Sequence, residues 1–390
     1  MNESLPFRVY TNRINLENLL SMTSFSFQTL SPVISAIARK VEKGIRITPE
    51  EAVELYQCDS LAFLGVLATR VRKRLIGDYV YFNRNFHIEP TNVCVNHCKF
   101  CSFRRNPGQK GSWECSIEEM VEMVKAHHGS GCTEVHIVGG VHPKRDISFY
   151  TDLLRAIRKE APMLHIKAFT AVEVDQMCRM AGITVEEGLT RLKEAGLESM
   201  PGGGAEIFDE ILRAEICPDK TTSSGWLSIH ETAHRLGIPT NATMLYGLKE
   251  SYLHRVDHMN RLRELQDRTG GFNAFIPLKF RKAHNVYSSR GETTVIEDLK
   301  NFAVSRIFID NIPHLKGYWP MIGRSIARLS LDYGVDDLDG TIDDSTKIYS
   351  MAGAEEQNPA ATTSELAQMI REAGYVAAER DTLYRILRTF

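Results

Sequence analysis

Residues 86–105 read FHIEPTNVCVNHCKFCSFRR and place Cys94, Cys98 and Cys101 in one short segment. Intervals of three and two residues let three thiolates converge from a loop on one metal centre, because a loop wraps where a helix or strand does not. Phe100 stands immediately before the last cysteine. Thiolates are soft ligands that suit iron–sulfur clusters and zinc. Three protein ligands rather than four leave a metal position open, which a metal that does chemistry requires. The competing reading is a closed structural zinc with Cys115 as fourth ligand. Its spacing from Cys101 is loose, and no second C-x2-C follows.

Outward from this loop the chain alternates short apolar segments with capped amphipathic ones, the pattern of repeated βα units and a parallel sheet. Strands are expected at 86–91, 134–139, 165–170, 197–200, 240–246, 272–279, 305–310 and 334–338. Ser116…Glu119, Thr184…Glu187 and Thr294…Glu297 are helix-start signals, and Gly129, Gly196 and Gly237 sit where helices stop. Eight such units over roughly 250 residues are the size of a (β/α)8 TIM-like barrel, whose active site lies on the loops after the strands. The α/β fold is then organised as residues 1–80, an N-terminal segment and helical cap; 81–340, the barrel; and 341–390, a C-terminal helical extension. The cap reading rests on the capping box from Thr48 to Glu51, with Pro49 at the first helical position, and on Leu61, Leu64, Leu67, Ala68 and Val71 at helical spacing. Residues 1–31 carry no assignable role.

The 390 residues, 43% of them hydrophobic, suffice for a large core. Lys and Arg total 47 against 49 Asp and Glu, so no broad basic field exists and nucleic acid is not an expected partner. Eight cysteines without a paired framework argue for metal binding in a reducing compartment, hence the cytoplasm. No signal peptide or membrane span is visible; the longest apolar run, Leu61 to Ala68, is far too short to span a bilayer.

The cysteine loop resembles that of the radical S-adenosylmethionine (SAM) superfamily. The resemblance implies a 4Fe-4S cluster on Cys94, Cys98 and Cys101, with one iron free for SAM and Phe100 beside it. It implies that Gly139 and Gly140, in VGGVHP, hold the amino group of SAM; Val141 stands where the family often has Glu. Glu173, in TAVE, is a carboxylate at a strand end, suited to ribose hydroxyls or substrate, or else ion-paired. Thr243 to Glu250 resembles the superfamily's G-x-I-x-G-x-x-E segment, with Leu245, Gly247 and Glu250 matching and Thr243 in place of the first Gly. The run PGGGAE, 201–206, offers a backbone surface for a flat or anionic ligand. His142, Arg213 and His314 are the candidates for acid–base work or for clamping substrate carboxylates, Arg through its planar fork; a structural role is the alternative for each. His230 and His234, at i and i+4 without an H-E-x-x-H, read as structural.

GGVHP, AFTAVE, PGGGAEIF, NATMLYG, LQDRTGGFNAFIPLKF and SRIFIDNIPHLKGYW, in that order, narrow the resemblance to the menaquinone-pathway radical SAM enzymes and their deazaflavin-pathway relative. Within that group AFTAVE, GGVHP and DNIPHLKGYW are most similar to the aminofutalosine synthase family. The implied reaction consumes SAM as a building block. A deoxyadenosyl radical adds to the enol ether of 3-[(1-carboxyvinyl)oxy]benzoate, a chorismate-derived substrate, and rearrangement with loss of bicarbonate gives 6-amino-6-deoxyfutalosine. An electron donor such as flavodoxin or ferredoxin is implied as partner. The dehypoxanthine futalosine cyclase of the same pathway stays open as an alternative, as do a zinc-dependent barrel enzyme and a non-catalytic cluster protein.

Overall fold

The computed structural model describes residues 30–343 and 346–390. The unassigned segment 1–31 lies almost wholly outside them. Among the described residues three helices come first, Pro32–Glu42, Pro49–Gln57 and Leu61–Ile76. Ser31, Thr48 and Ser60 cap them, and Thr48 closes the expected capping box with Glu51. Their apolar faces lie on the outer layer of the barrel: Leu61–Ile76 packs on the helix Val295–Phe308, and Pro49–Gln57 on Tyr252–Thr269. Buried Leu64, Leu67, Ala68 and Val71 form the stripe that the spacing predicts.

Among the described residues seven parallel strands make the barrel: β1 Tyr79–Ile88, β2 Glu134–Ile137, β3 His165–Ala168, β4 Thr240–Tyr246, β5 Phe272–Lys279, β6 His314–Leu315 and β7 Asp337–Ile342. β3, β2 and β1 pair in parallel, as do β4, β5 and β6, with one register shift between Thr240 and Asn241. Isolated parallel bridges join the two sheets. Lys167 meets Ser199 and Met200 meets Thr240 on one side, and Lys316 meets Asp337 on the other. β7 in turn pairs with β1. The pairings therefore run all the way round, and the expected strand 197–200 survives only as the two bridges.

Four departures from the sequence reading have physical reasons. β1 starts at Tyr79 rather than 86, because Val80 to Asn83 are already buried and Tyr79 to Phe82 pair with residues 376–379 near the C-terminus, which the sequence reading took for helix. Residues 305–310 are not a strand. Ser305 to Phe308 end the helix Val295–Phe308, whose second half is buried throughout, so its apolar run shows no helical stripe. The seventh position is taken instead by the two-residue β6. Finally, the C-terminus is not wholly helical. The helix Thr363–Glu372 leads into β8 Val376–Arg380 and β9 Ile386–Thr389, an antiparallel pair. β8 lies along the first half of β1 while β2 takes the second half. A ten-residue strand thus serves two partners on one edge and β7 on the other.

Candidate active site

The loop after β1 is held by its own polar side chains. Asn92 donates from Nδ2 to the Gly111 carbonyl at 2.9 Å, and its Oδ1 accepts from Trp113 N at 3.0 Å. Trp113 Nε1 donates to the Glu89 carbonyl at 3.0 Å, and the Arg105 guanidinium donates to the carbonyls of Ser102 and Arg104. Val95 N donates to the Val141 carbonyl at 2.9 Å, which ties the cysteine loop to the loop after β2. So fixed, Cys94, Cys98 and Cys101 all line one cavity of about 300 Å³ at the C-terminal ends of the strands. Burial pushes the Cys94 and Cys98 thiols up, partly offset by the Lys220 ammonium. Cys115 lies outside this wall and faces the Glu89 carbonyl at 3.9 Å. Among the described residues no three His, Cys, Asp or Glu side chains meet at single-ion distance. A rim of three thiols fits a polynuclear cluster, whose irons are ligated one by one.

Phe100, Gly139, Gly140 and Leu245 line the same cavity. A Cβ on Gly139 would stand 2.7 Å from the Thr91 carbonyl, and one on Gly140 would collide with that of Val93. The pair is small because the cysteine loop's backbone lies against it, with the other side left open to the cavity.

The other sequence candidates lie behind the wall. Glu173 is buried and closes a capping box with Thr170; its Oε2 accepts from Thr170 N at 2.7 Å and its Oε1 from Gly139 N at 3.3 Å. Burial pushes it up to about 7. It braces the glycine pair and does not line the cavity. Glu250 accepts from the amides of Gly247, Leu248 and Lys249 and pairs with Arg255 at 2.8 Å, so Glu250 and Gly247 shape the turn after β4. His142 donates from Nε2 to Glu114 Oε2 at 2.7 Å while its Nδ1 accepts from the amides of Lys144 and Arg145. Arg213 donates to the carbonyls of Ala205, Ile207 and Thr221 and so clamps the PGGGAE loop. His314 pairs with Asp336 at 2.6 Å and stacks on Tyr384. None of these three lines the cavity, so the carboxylate-clamp expectation for them is corrected: Arg213 is spent on backbone carbonyls, His142 on Glu114 and two amides, and Nδ1 of His314 on Asp336.

What lines it instead are ionisable residues on the strands themselves. His87 is on β1, Glu134 and His136 on β2, Lys167 on β3, Lys316 just after β6 and Asp339 on β7. Residues two apart on a strand share a face. Glu134 and His136 therefore point inward together, with Glu134 the deeper. Lys167 pairs with Glu134 at 2.7 Å and Lys316 with Asp339 at 3.2 Å. Burial alone would raise Glu134; Lys167 and Arg380 outweigh it and hold it well below the usual range. His87 and His136 meet edge-on at 4.6 Å, and burial lowers both, His87 to about 4, so both are neutral at pH 7. The signal in the sequence was a charged or imidazole residue at every second position of strands otherwise fit for a core. Higher up, Glu206 and Lys220 form an ion pair in the wall, and Lys220 lies 5.6 Å from the Phe100 ring.

Residues 88–262 match the radical SAM superfamily, and residues 269–389 match the CofH/MqnC C-terminal region. Aminodeoxyfutalosine synthase of Thermus thermophilus is 45% identical across 92% of this chain and 97% of that protein. The chain belongs to the radical SAM superfamily. Cyclic dehypoxanthine futalosine synthase of Streptomyces coelicolor is 38% identical across 92% of this chain and 89% of that protein. The FeFe-hydrogenase maturase HydG from Carboxydothermus hydrogenoformans superposes with a TM-score of 0.73 at 18% identity, covering 95% of this chain and 85% of that one, and so shares the fold. A radical SAM protein takes a 4Fe-4S cluster and SAM, and the three-thiol rim fits that demand.

Proposed function

We propose that this radical SAM enzyme is an aminodeoxyfutalosine synthase, joining the deoxyadenosyl group of SAM to 3-[(1-carboxyvinyl)oxy]benzoate in menaquinone biosynthesis. The observation that carries the reading is the full-length identity of 45% to a synthase, against 38% to a cyclase over an equal share of the chain. When bound, the cluster and SAM together supply one-electron cleavage of SAM. Every other task falls to the chain. Cys94, Cys98 and Cys101 hold the cluster, and the Gly139–Gly140 backbone, Phe100 and Leu245 seat SAM. Ile276, Leu278 and Phe280 line the middle of the wall with apolar surface that keeps water away from reactive carbon. The Glu206–Lys220 pair offers fixed dipoles between the thiols and the floor.

The segment after β7 completes the enclosure. Glu89 Oε1 accepts from Thr346 Oγ1, Lys347 N and Ile348 N, and Thr346, Ile348 and Tyr349 line the cavity. An electron donor of the flavodoxin or ferredoxin kind belongs to the same reading, as does a cytoplasmic site of action. Among the described residues no helix is long and apolar enough to cross a membrane.

The test is mass spectrometry of an anaerobic reaction holding reconstituted protein, dithionite, SAM and the enol-ether benzoate. A product containing adenine, ribose and the benzoate is expected. Free 5'-deoxyadenosine without adduct would move the assignment to the cyclase, and intact SAM in cluster-loaded protein would remove both.

A further inference from the structure

We infer that the floor of the cavity is a carboxylate-binding subsite in which Lys316 and His136 hold one carboxylate of the dicarboxylate substrate. The inference rests on the proposed function and deepens it. Four charged residues and two imidazoles occupy the deep end of the barrel, five of them on β1, β2, β3 and β7 and Lys316 just after β6. Barrel interiors are ordinarily filled by branched apolar side chains. Burying ion pairs there costs desolvation that well-packed apolar residues would avoid. A barrel that only had to be filled would not place Lys167, Lys316, Glu134 and Asp339 together.

The two ion pairs are unequal, and the inequality selects Lys316. Glu134 accepts from Lys167 at 2.7 Å and from Thr382 Oγ1 at 2.6 Å, so that pair is anchored to the C-terminal hairpin and closed. Lys316 meets Asp339 at 3.2 Å, and an ammonium carries three donors. His136 Nε2 is buried in the same wall without a hydrogen-bond partner. A buried imidazole nitrogen left without a partner costs free energy, which a ligand oxygen would recover. As a neutral ring, His136 donates to an anion without adding charge that the cluster end would feel. The cysteine rim claims the upper end for cluster and SAM, which leaves the floor for the benzoate.

Isothermal titration of 3-(carboxymethoxy)benzoate, which keeps both carboxylates and lacks the reactive double bond, into the reconstituted, SAM-loaded full chain tests this. Lys316→Gln should weaken binding by at least tenfold, about 1.4 kcal/mol. Asp339→Asn, at a backbone φ of 69° that Asn tolerates, should tighten binding severalfold by releasing Lys316. Circular dichroism and SAM affinity report the fold of each variant. Unchanged affinity in folded Lys316→Gln, or equal weakening in both variants, would overturn the subsite. Adduct formation by the wild type is read in parallel. A wild type that binds the probe but forms no adduct overturns only the assigned reaction. A wild type that forms adduct while Lys316→Gln binds as tightly overturns only the subsite. A wild type that neither binds nor reacts overturns both.

Discussion

At the residue scale the decisive distinction is between polar atoms the fold has already used and those it has left facing the cavity. Arg213 looks like a carboxylate clamp in sequence, yet its guanidinium is spent on the carbonyls of Ala205, Ile207 and Thr221. Arg213→Met should lower stability by roughly 1–3 kcal/mol, since buried carbonyls lose their donors, and leave KM for the dicarboxylate unchanged. Urea unfolding and steady-state kinetics read the two effects separately. Cys101→Ala should abolish the brown chromophore and product formation together, checked by iron content after anaerobic reconstitution. Retained iron at the wild-type ratio would mean that another residue completes the trio. The cysteines were legible because three spaced thiols in one loop have few other uses. His136 and Lys316 were passed over, because alternation of polar residues along a strand does not declare which face turns inward, and Lys316 follows a strand of only two residues.

At the scale of elements, the segment from Thr346 to Tyr349 is held over the cavity by one carboxylate. Glu89→Ala removes the acceptor for Thr346 Oγ1 and for two backbone amides. Limited proteolysis should then cut near residues 346–354 faster than in the wild type, and uncoupled release of 5'-deoxyadenosine should rise relative to adduct. Equal cleavage rates would show that packing alone holds the segment. Helix starts were legible because capping is local: Thr48 and Ser116 close capping boxes, and Thr184 and Thr294 cap through their hydroxyls, whereas the box from Thr170 to Glu173 was read as a ligand site. β8 was not. Its sequence, VAAER, is rich in helix formers, and pairing with β1 overrides that preference.

For the whole molecule, buried imidazoles set the response to acid. Burial lowers His87 and His234 to about 4 and His258 to about 3, and lowers His136 and His230 as well. A group whose folded value lies below its unfolded one contributes stability that is present above about 6.5 and is lost as pH falls through the folded value. For a shift from 6.5 to about 4, as at His234, this is on the order of 3 kcal/mol. Glu89 and Glu173, both raised to about 7 by burial, act oppositely between about 4.5 and 7. Five imidazoles outweigh two carboxyls. The melting temperature should therefore be lower at pH 5 than at pH 7, measured by scanning calorimetry. A higher melting temperature at pH 5 would mean that the two carboxyls dominate.

The sequence by itself determined the cysteine trio, the glycine pair beside it, the helix starts and the repeated βα order. Each of these is written in neighbouring residues, through ligand spacing, capping and turn chemistry. Ring closure through the bridges at Ser199, Met200 and Lys316 was decided only by the tertiary structure, as were the C-terminal hairpin on β1 and the charged floor. Those features depend on which strands become neighbours and which faces turn inward, and contacts between residues hundreds of positions apart leave no local pattern to read.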